Sequence, residues 1–187
     1  MNIHIAGKHM DTGDAFATHV KTSFMHLSEK FGISPVDISV TISKPDHTVR
    51  CDVQANLSRG AHARCHETAP DAHAAFDRCY HKLERIFKKH KGRIRAHHHA
   101  HDVEVRQQKA SQYIFDMITE GAEEETDNPA IIAENDIHIP HLSVAEAVMR
   151  MELAHEDFFV FYNRSNDMLN VLHRRADGNI GWIDSQA

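Results

Sequence analysis

The apolar residues near the start of the chain change their spacing twice, and this change restricts the fold. Between residues 16 and 31 they recur every three or four positions, which indicates one helix ending at Gly32. Between residues 36 and 66 they alternate with polar residues, which predicts three short strands joined by turns. Helical spacing returns over residues 76–87, and residues 3–5 alternate ahead of the first helix. The order is therefore β-α-β-β-β-α, with two helices on one face of a four-stranded sheet.

Both helices have recognisable start signals. Thr12 lies in a polar cluster and is the predicted N-cap of the first helix. Pro70 suits the first turn of the second helix, which is predicted to run to Gly92. The two helices and the strands between them therefore predict a first domain at residues 1–95.

A second ordered unit is predicted over residues 137–187. Ser143 and Glu146 have the spacing of a capping box at the start of a helix of about three turns. Strand-like runs follow at residues 158–162, 169–174 and 179–183, separated by turn residues. A small α+β module is expected here.

The segment between the two units, residues 96–136, has no sustained period. It holds a histidine-rich run at residues 97–101 and a run of three glutamates, with 2 Lys+Arg against 10 Asp+Glu. This composition predicts a flexible, acidic, histidine-containing linker. A short helix over residues 111–119 is an alternative for part of it.

Charge and composition exclude several classes of protein. The net charge of −6 conceals a basic first domain, in which 15 Lys+Arg face 10 Asp+Glu. A hydrophobic fraction of 41% indicates a globular protein. No apolar run reaches the roughly 18 residues that would span a membrane, and the N-terminus lacks a signal-peptide core. The expected address is the cytoplasm, with no membrane partner.

Catalytic and metal-binding patterns are absent from the sequence. Cys51, Cys65 and Cys79 form no CxxC pair and are expected to be reduced and buried. His62 and His66 share a strand face but stand about 13 Å apart, too far to chelate one ion. We expect no enzyme activity, no cofactor and no metal. A metal-buffering role for the abundant histidines is the alternative.

The second helix carries a row of cations on one stripe. Arg78, Lys82, Arg85 and Lys89 are spaced by four, three and four residues and point away from the apolar stripe. Such a row can follow a phosphate backbone, although an ordinary solvated helix face is the competing interpretation. Further positive or titratable residues extend the surface past the helix, namely Lys88, His90, Lys91, Arg93 and Arg95. Polar residues on the open face of the sheet add Arg50, His62, Arg64 and His66.

These residues carry a resemblance to a known family. The runs RCHE at 64–67, DAHAAFD at 71–77, KLER at 82–85 and KKHK at 88–91 resemble the second-helix signature of the ribosome hibernation-promoting factors, also called ribosome-associated inhibitors. The opening MNIHIAGK fits the same family. The runs SVAEA at 143–147, DFFVF at 157–161 and RRADGN at 174–179 resemble the tail domain of its long form.

The resemblance implies binding to the small ribosomal subunit, on 16S rRNA and nearby ribosomal proteins, where messenger and transfer RNAs sit. It implies a translational silencer whose tail pairs two copies and so pairs two ribosomes. The rRNA contacts that it suggests are Lys8, Lys82, Arg85, Lys88, Lys89 and Lys91, to which the row and the sheet face add Arg78 and Arg64. His73 departs from the family, where tyrosine is common. The alternative function is a general RNA-binding or metal-buffering stress protein.

The tail is expected to form a homodimer for physical reasons as well. Both faces of the strand at residues 158–162 are apolar, and a single helix covers only one of them. A second copy can supply the missing layer. Phe158, Val160 and Tyr162 are the interface candidates. The competing interpretation is a monomeric tail that docks on the chain's own first domain.

Overall fold

The computed structural model describes residues 2–8, 10, 12–33, 35–45, 47–57, 60–94, 105–115 and 131–185. They form an N-terminal unit, up to residue 94, and a tail, from residue 105. The predicted βαβββα order of the N-terminal unit is confirmed. Its elements are β1 (Asn2–Lys8), α1 (Gly13–Phe31), β2 (Asp37–Ser43), β3 (Val49–Asn56), β4 (His62–Ala69) and α2 (Ala72–Lys89).

The N-terminal sheet has the order β1-β2-β3-β4, so β4 is an edge strand. β1 runs parallel to β2, because α1 carries the chain back across the sheet, whereas β2, β3 and β4 form an antiparallel meander. Both helices pack on one face over strand residues such as Val40, Val53 and Cys65, all buried. Aromatic side chains of the two helices meet edge to face, as in Phe16 against Phe76. The other face of this sheet is left without a covering layer among the described residues.

The described residues of the tail form one helix and five strands. The sheet has the order β5-β6-β7-β8-β9. β6 pairs with β7 only at its last two residues, His141 and Leu142, and otherwise pairs with β5. The tail elements are β5 (Gln107–Phe115), β6 (Ile131–Leu142), α3 (Val144–Ala154), β7 (Phe158–Asn163), β8 (Leu169–Arg174) and β9 (Ile180–Asp184).

The structure corrects part of the predicted linker. Residues 107–115 and 131–136 lie in strands β5 and β6, so the alternative of a helix over residues 111–119 is wrong where the structure describes it. The strand was missed because its side chains are not buried. Nearly every β5 side chain is exposed, so the sequence shows no apolar period there, and cross-strand hydrogen bonds hold β5 and β6 together. Residues 95–104 and 116–130 lie outside the described residues.

Two helix ends also differ in detail from their predicted signals. Pro70 lies before α2 and not in its first turn. Asp71 caps the helix, and its carboxylate accepts the backbone N–H of Ala74 at 2.9 Å. Thr12 stands at the N-cap of α1 but makes no side-chain capping bond. Gly32 ends α1 in the left-handed conformation at φ 63°, as its sequence position predicts.

Helix α3 is buried on two opposite sides. Ala147 and Met151 pack into the tail core with Phe161 and other sheet residues. Met149 and Leu153, two positions further along and so about 200° around the helix, are 1% and 0% exposed within the core of the N-terminal unit. α3 contacts β4 and α2 through this second side. One helix therefore belongs to both units.

Replacing Ser143 tests how far the predicted capping box supports the tail. The Ser143 hydroxyl accepts the Glu146 N–H at 3.3 Å, and the Glu146 carboxylate accepts the Ser143 N–H at 3.0 Å. We expect Ser143→Ala to lower the free energy of unfolding by about 1 kcal/mol in urea denaturation. Ser111→Ala, on the exposed β5, is the control and should change it little. Equal stability of the two variants would show that the cap does not stabilise α3.

Candidate nucleic-acid interface and tail face

The basic row on α2 follows directly from how that helix packs. Phe76, Leu83 and Phe87 are buried against the sheet, which turns the opposite stripe outward. Arg78, Arg85 and Lys89 are exposed and Lys82 is half-buried. We use the name basic row for Arg78, Lys82, Arg85 and Lys89.

Two members of the basic row are held by residues of β4, and these contacts show where the row lies. Arg78 donates to the backbone carbonyl of Thr68 at 2.5 Å, and Lys82 forms an ion pair with Glu67 at 2.9 Å. Both partners belong to β4, so the row runs along the edge strand of the sheet. Arg85 makes no hydrogen bond or ion pair with the residues that the structure describes. Its guanidinium keeps its donors for an external acceptor.

The remaining predicted contact residues lie around this edge and across the open face of the sheet. Lys88 and Lys91 are exposed at the end of α2 and just beyond it. Arg64 is exposed on the open face of β4, next to the edge. Lys8 is on the same face of β1, three strands away, which at about 4.8 Å per strand is roughly 14 Å. Lys8 is therefore not part of the cluster at the β4 edge.

Arg50 and His90, which also counted toward the positive surface, are engaged inside the molecule. The Arg50 guanidinium donates three hydrogen bonds of 2.9–3.2 Å to the Asp52 carboxylate, and this pairing raises the pKa of Arg50 above its ordinary value. His90 is only 3% exposed and its Nε2 contacts the Glu152 carboxylate of α3. The prediction that His90 extends the exposed positive surface is wrong, because α3 covers this side chain.

His73, the departure from the family pattern, lies at the start of α2 among other rings. Its imidazole packs edge to face with Phe16, with ring centroids 5.3 Å apart. It is tilted against the His19 ring, with centroids 5.5 Å apart. His19 in turn contacts the Asp77 carboxylate at 2.7 Å. The His73 ring is exposed and can present a flat face to a base, although it carries less aromatic surface than tyrosine.

The histidines that the structure describes do not gather into a metal site. Within residues 2–94, 105–115 and 131–185, leaving aside the undescribed positions there, no group of three or more His, Cys, Asp or Glu could hold an ion. The run at residues 97–101 lies outside the described residues. The three cysteines are free and buried, and hydrogen bonding and burial raise the pKa of the Cys65 and Cys79 thiols.

The tail sheet has one face that α3 does not cover. Strand register places Val160 opposite Val171, and Val171 opposite Ile183, in a row across three strands. Phe158 is 65% exposed and Ile183 is 56% exposed on this face. The open tail face consists of Phe158, Val160, Tyr162, Leu169, Val171 and Ile183. All three predicted interface candidates lie on it.

Aromatic packing and a glycine shape the rim of the open tail face. His141 stacks on Tyr162 with ring centroids 4.8 Å apart, and its Nδ1 contacts Asp167 at 3.0 Å. A side chain at Gly181 would come within 2.2 Å of the His173 ring, so His173 can lie flat across β9 only because residue 181 is glycine.

Comparison with known proteins agrees with this two-unit arrangement. Residues 3–95 match the family described as Sigma 54 modulation protein / S30EA ribosomal protein, and residues 126–181 match its C-terminal domain family. A ribosome hibernation promotion factor of Bradyrhizobium diazoefficiens is 30% identical over 98% of this chain and 94% of its own length. The chain belongs to the ribosome hibernation promotion factors. Their long form has both domains, as this chain does.

Other proteins are also similar to this chain. The hibernation promotion factor of Rhizobium meliloti is 28% identical and covers 99% of this chain and 97% of its own. A solved structure of the Thermus thermophilus Protein Y N-terminal domain is 27% identical, covers 48% of this chain and 98% of that one, and has a TM-score of 0.43. The family is one of ribosome binding, ribosome hibernation and translation regulation. No helix in the described part of this family member is long and apolar enough to cross a membrane.

Sequence reasoning missed the residues that join the two units. The Glu152 carboxylate of α3 forms an ion pair with the Lys89 ammonium of the basic row at 2.6 Å, and it also contacts the His90 ring. Glu156 lies 3.6 Å from His62, and His155 meets the edge of His66 at 5.9 Å. The available signal was Met149 and Leu153, an apolar pair on the side of α3 that faces away from the tail core.

The Glu152 carboxylate gives a prediction about pH. Burial raises its pKa, but the hydrogen bonds from Lys89 and His90 outweigh burial and hold the pKa below its ordinary value of 4.5. A carboxyl whose pKa is depressed by folding stabilises the fold above about pH 4.5, and this contribution is lost as the pH falls further. We expect Glu152→Gln to lower the melting temperature at pH 7 by roughly 2–4 °C, or about 1 kcal/mol.

The same comparison at lower pH supplies the check. The gap in melting temperature between the natural protein and Glu152→Gln should narrow as the pH falls below about 4.5, because the unfolded chain then binds a proton at this carboxyl more readily than the folded protein does. Glu134→Gln, an exposed position of β6, is the matched control and should leave no gap at any pH. A gap of constant size would contradict the assignment of the carboxylate's role.

Proposed function

We propose that this chain binds the small ribosomal subunit at the messenger and transfer RNA sites, blocks translation there, and joins two ribosomes by pairing its tail with that of a second copy. It acts in the cytoplasm, on assembled ribosomes. The single observation that carries the RNA-binding half is the basic row along the β4 edge, with Arg85 unengaged among the described residues. The names of the similar full-length proteins support the same target.

The charge pattern suits a phosphate backbone better than a base-specific groove. The row repeats every three or four residues, which is about 5–6 Å along α2 and close to the phosphate spacing of an extended strand. Its partners Glu67 and Thr68 hold the side chains in place but leave donors of the guanidinium and ammonium groups unused. Exposed cations of this kind contribute affinity by releasing counterions, so binding is sensitive to salt and largely independent of sequence.

The open tail face supports the pairing half of the proposal. It presents Phe158, Leu169 and Ile183 to solvent on a flat antiparallel sheet, whereas α3 already covers the opposite face. Exposed apolar surface of this kind is typical of a protein interface. Two copies that meet through the same face would give each strand set the layer that it lacks.

Co-sedimentation with ribosomes on a sucrose gradient tests the function as a whole. The expected result is migration of the chain with paired ribosomes. A general RNA-binding protein would instead spread over free RNA and all ribosomal fractions, and a metal-buffering protein would stay at the top of the gradient.

Salt dependence tests the basic row. Four to six phosphate contacts predict a slope of about −3 to −5 for the logarithm of the binding constant against the logarithm of salt concentration. We expect the triple variant Lys82→Ala, Arg85→Ala, Lys89→Ala to bind small subunits roughly 50-fold more weakly at physiological salt and to flatten the slope by about 2–3.

A matched triple variant controls for the lost charge. Arg106→Ala, Lys109→Ala, Arg175→Ala removes three exposed cations of the tail that lie away from α2. It should leave the affinity and the slope within a factor of two. Equal effects of the two triple variants would mean that net charge, and not the basic row, determines binding.

Phe158→Asp tests the open tail face. We expect it to abolish the paired ribosome peak while the chain still sediments with single ribosomes, because a charge on this face cannot be buried against its copy. Ile132→Asp, on the exposed part of β6, is the control and should preserve pairing. If Phe158→Asp still forms paired ribosomes, the open tail face is not the pairing surface.

A further inference from the structure

The edge of the N-terminal unit formed by β4 and α2 carries a contact that the proposed function does not use. The tail helix α3 lies on it, with Met149 and Leu153 buried in the N-terminal core. Around them, Glu152 binds Lys89 and His90, and Glu156 lies near His62. We call this the docking contact.

The docking contact has the chemistry of a specific partner surface. A central pair of apolar side chains is flanked by Glu152 of α3 and by Glu156 just after it, which face Lys89 and His90 at the end of α2 and His62 of β4. Such a surface fits an amphipathic helix with an apolar stripe and a carboxylate at its end. α3 has both, since Met149 and Leu153 are spaced by four residues and Glu152 lies beside them.

The docking contact lies on the basic row itself. A cleft of about 310 Å³ separates α2 from the tail, and it is lined by Lys82, Arg85, Ile86, Lys89, Glu152, His155 and Arg174. Three of the four row members therefore face the tail across this cleft. Lys89 already holds a carboxylate in the position where a phosphate oxygen would bind.

The tail end of the cleft lies close to positive charges. Burial lowers the pKa of His155, and the positive charges of Lys82 and Arg174 lower it further. Because Lys82 and Arg174 repel a further cation at His155, their part of the cleft is positive. An RNA phosphate that binds Lys89 has to displace the Glu152 carboxylate, so α3 and RNA compete for this cation.

We propose that the β4 and α2 edge is a binding surface for α3 of the same chain, and that this docking competes with RNA for the basic row. The chain then exists in a closed form, with α3 docked, and an open form that binds RNA. The open tail face lies on the side of the tail sheet away from α3, so closing does not prevent pairing of two tails. The inference rests on the proposed function, because it assumes that the basic row binds rRNA.

Competition of this kind has a simple quantitative consequence. The apparent affinity for small subunits is reduced by the fraction of chains in the open form. If nine chains in ten are closed, releasing α3 tightens apparent binding about tenfold. The effect has the opposite sign from that of removing cations of the basic row.

The test measures binding of the full-length chain to purified small subunits at one salt concentration. We expect Leu153→Asp to tighten binding about tenfold, because an aspartate cannot stay in the N-terminal core. Ile132→Asp adds the same charge at an exposed position of β6 and should leave the affinity unchanged. Unchanged or weaker binding by Leu153→Asp overturns the inference.

A second, gentler variant guards against unfolding of the tail. Glu152→Gln, Glu156→Gln keeps the apolar contacts and removes both carboxylates, and we expect it to tighten binding about threefold. Glu134→Gln, Asp136→Asn neutralises two exposed carboxylates of β6 and is the matched control. Equal tightening by the two pairs would mean that net charge alone is responsible and would overturn the inference.

Hydrogen exchange provides the structural readout. Exchange over residues 62–69 and 144–154 should accelerate together in Leu153→Asp and in the presence of small subunits, and independently of protein concentration. Faster exchange of the natural protein on dilution alone would assign the docking to a second copy and overturn the intramolecular form. The proposed function fails separately, if the triple variant of the basic row binds as tightly as the natural protein.

Discussion

The packing of α2 on the N-terminal sheet positions most of what is functional in this protein. Phe76, Leu83 and Phe87 are fully buried, and each such side chain contributes about 1.5–3 kcal/mol when it leaves water. Because the helix has one apolar stripe, burying it fixes the rotation of the whole helix. The backbone of the basic row is consequently held at the β4 edge without a further loss of conformational entropy. Neighbouring groups on β4 limit the freedom of its side chains.

Helix α3 extends the same principle to two cores. Its Ala147 and Met151 side serves the tail sheet, while its Met149 and Leu153 side serves the N-terminal unit. A helix that is apolar nearly all round is stable only when it is surrounded. Opening the docking contact therefore exposes apolar surface on both partners, and the open form needs compensation from contacts elsewhere, such as those with RNA.

The sequence predicted the elements wherever burial imposes a period. The βαβββα order, the Ser143 capping box and the three tail strands were all visible, because one side of each element faces a core. β5 and β6 were not, since their residues pair with each other and stay exposed. The alternative of a helix over residues 111–119 was wrong at residues 111–115 for the same reason, because no buried face distinguishes helix from strand there.

The candidate site was predictable in its cations but not in their partners. Four regularly spaced basic residues identify the row from spacing alone. The burial of His90 depends on Glu152, which is 62 residues away in sequence, and a contact at that separation leaves no local pattern. The face of the tail sheet that stays open was equally undecidable, because Phe158–Asn163 is apolar on both sides and only the position of α3 distinguishes them.

The pairing of β5 with β6 shortens the chain segment that connects the two units. Gln107 pairs with Pro140, so the chain leaves the tail sheet and returns to the same place, and the residues between them add nothing to the tether. Only residues 95–104 separate the end of the N-terminal unit at Ile94 from Val105, which is buried in the tail core. A stretch of that length reaches about 40 Å at most. The tail is thus kept near its N-terminal unit at an effective concentration on the order of millimolar, whatever the concentration of the protein in solution.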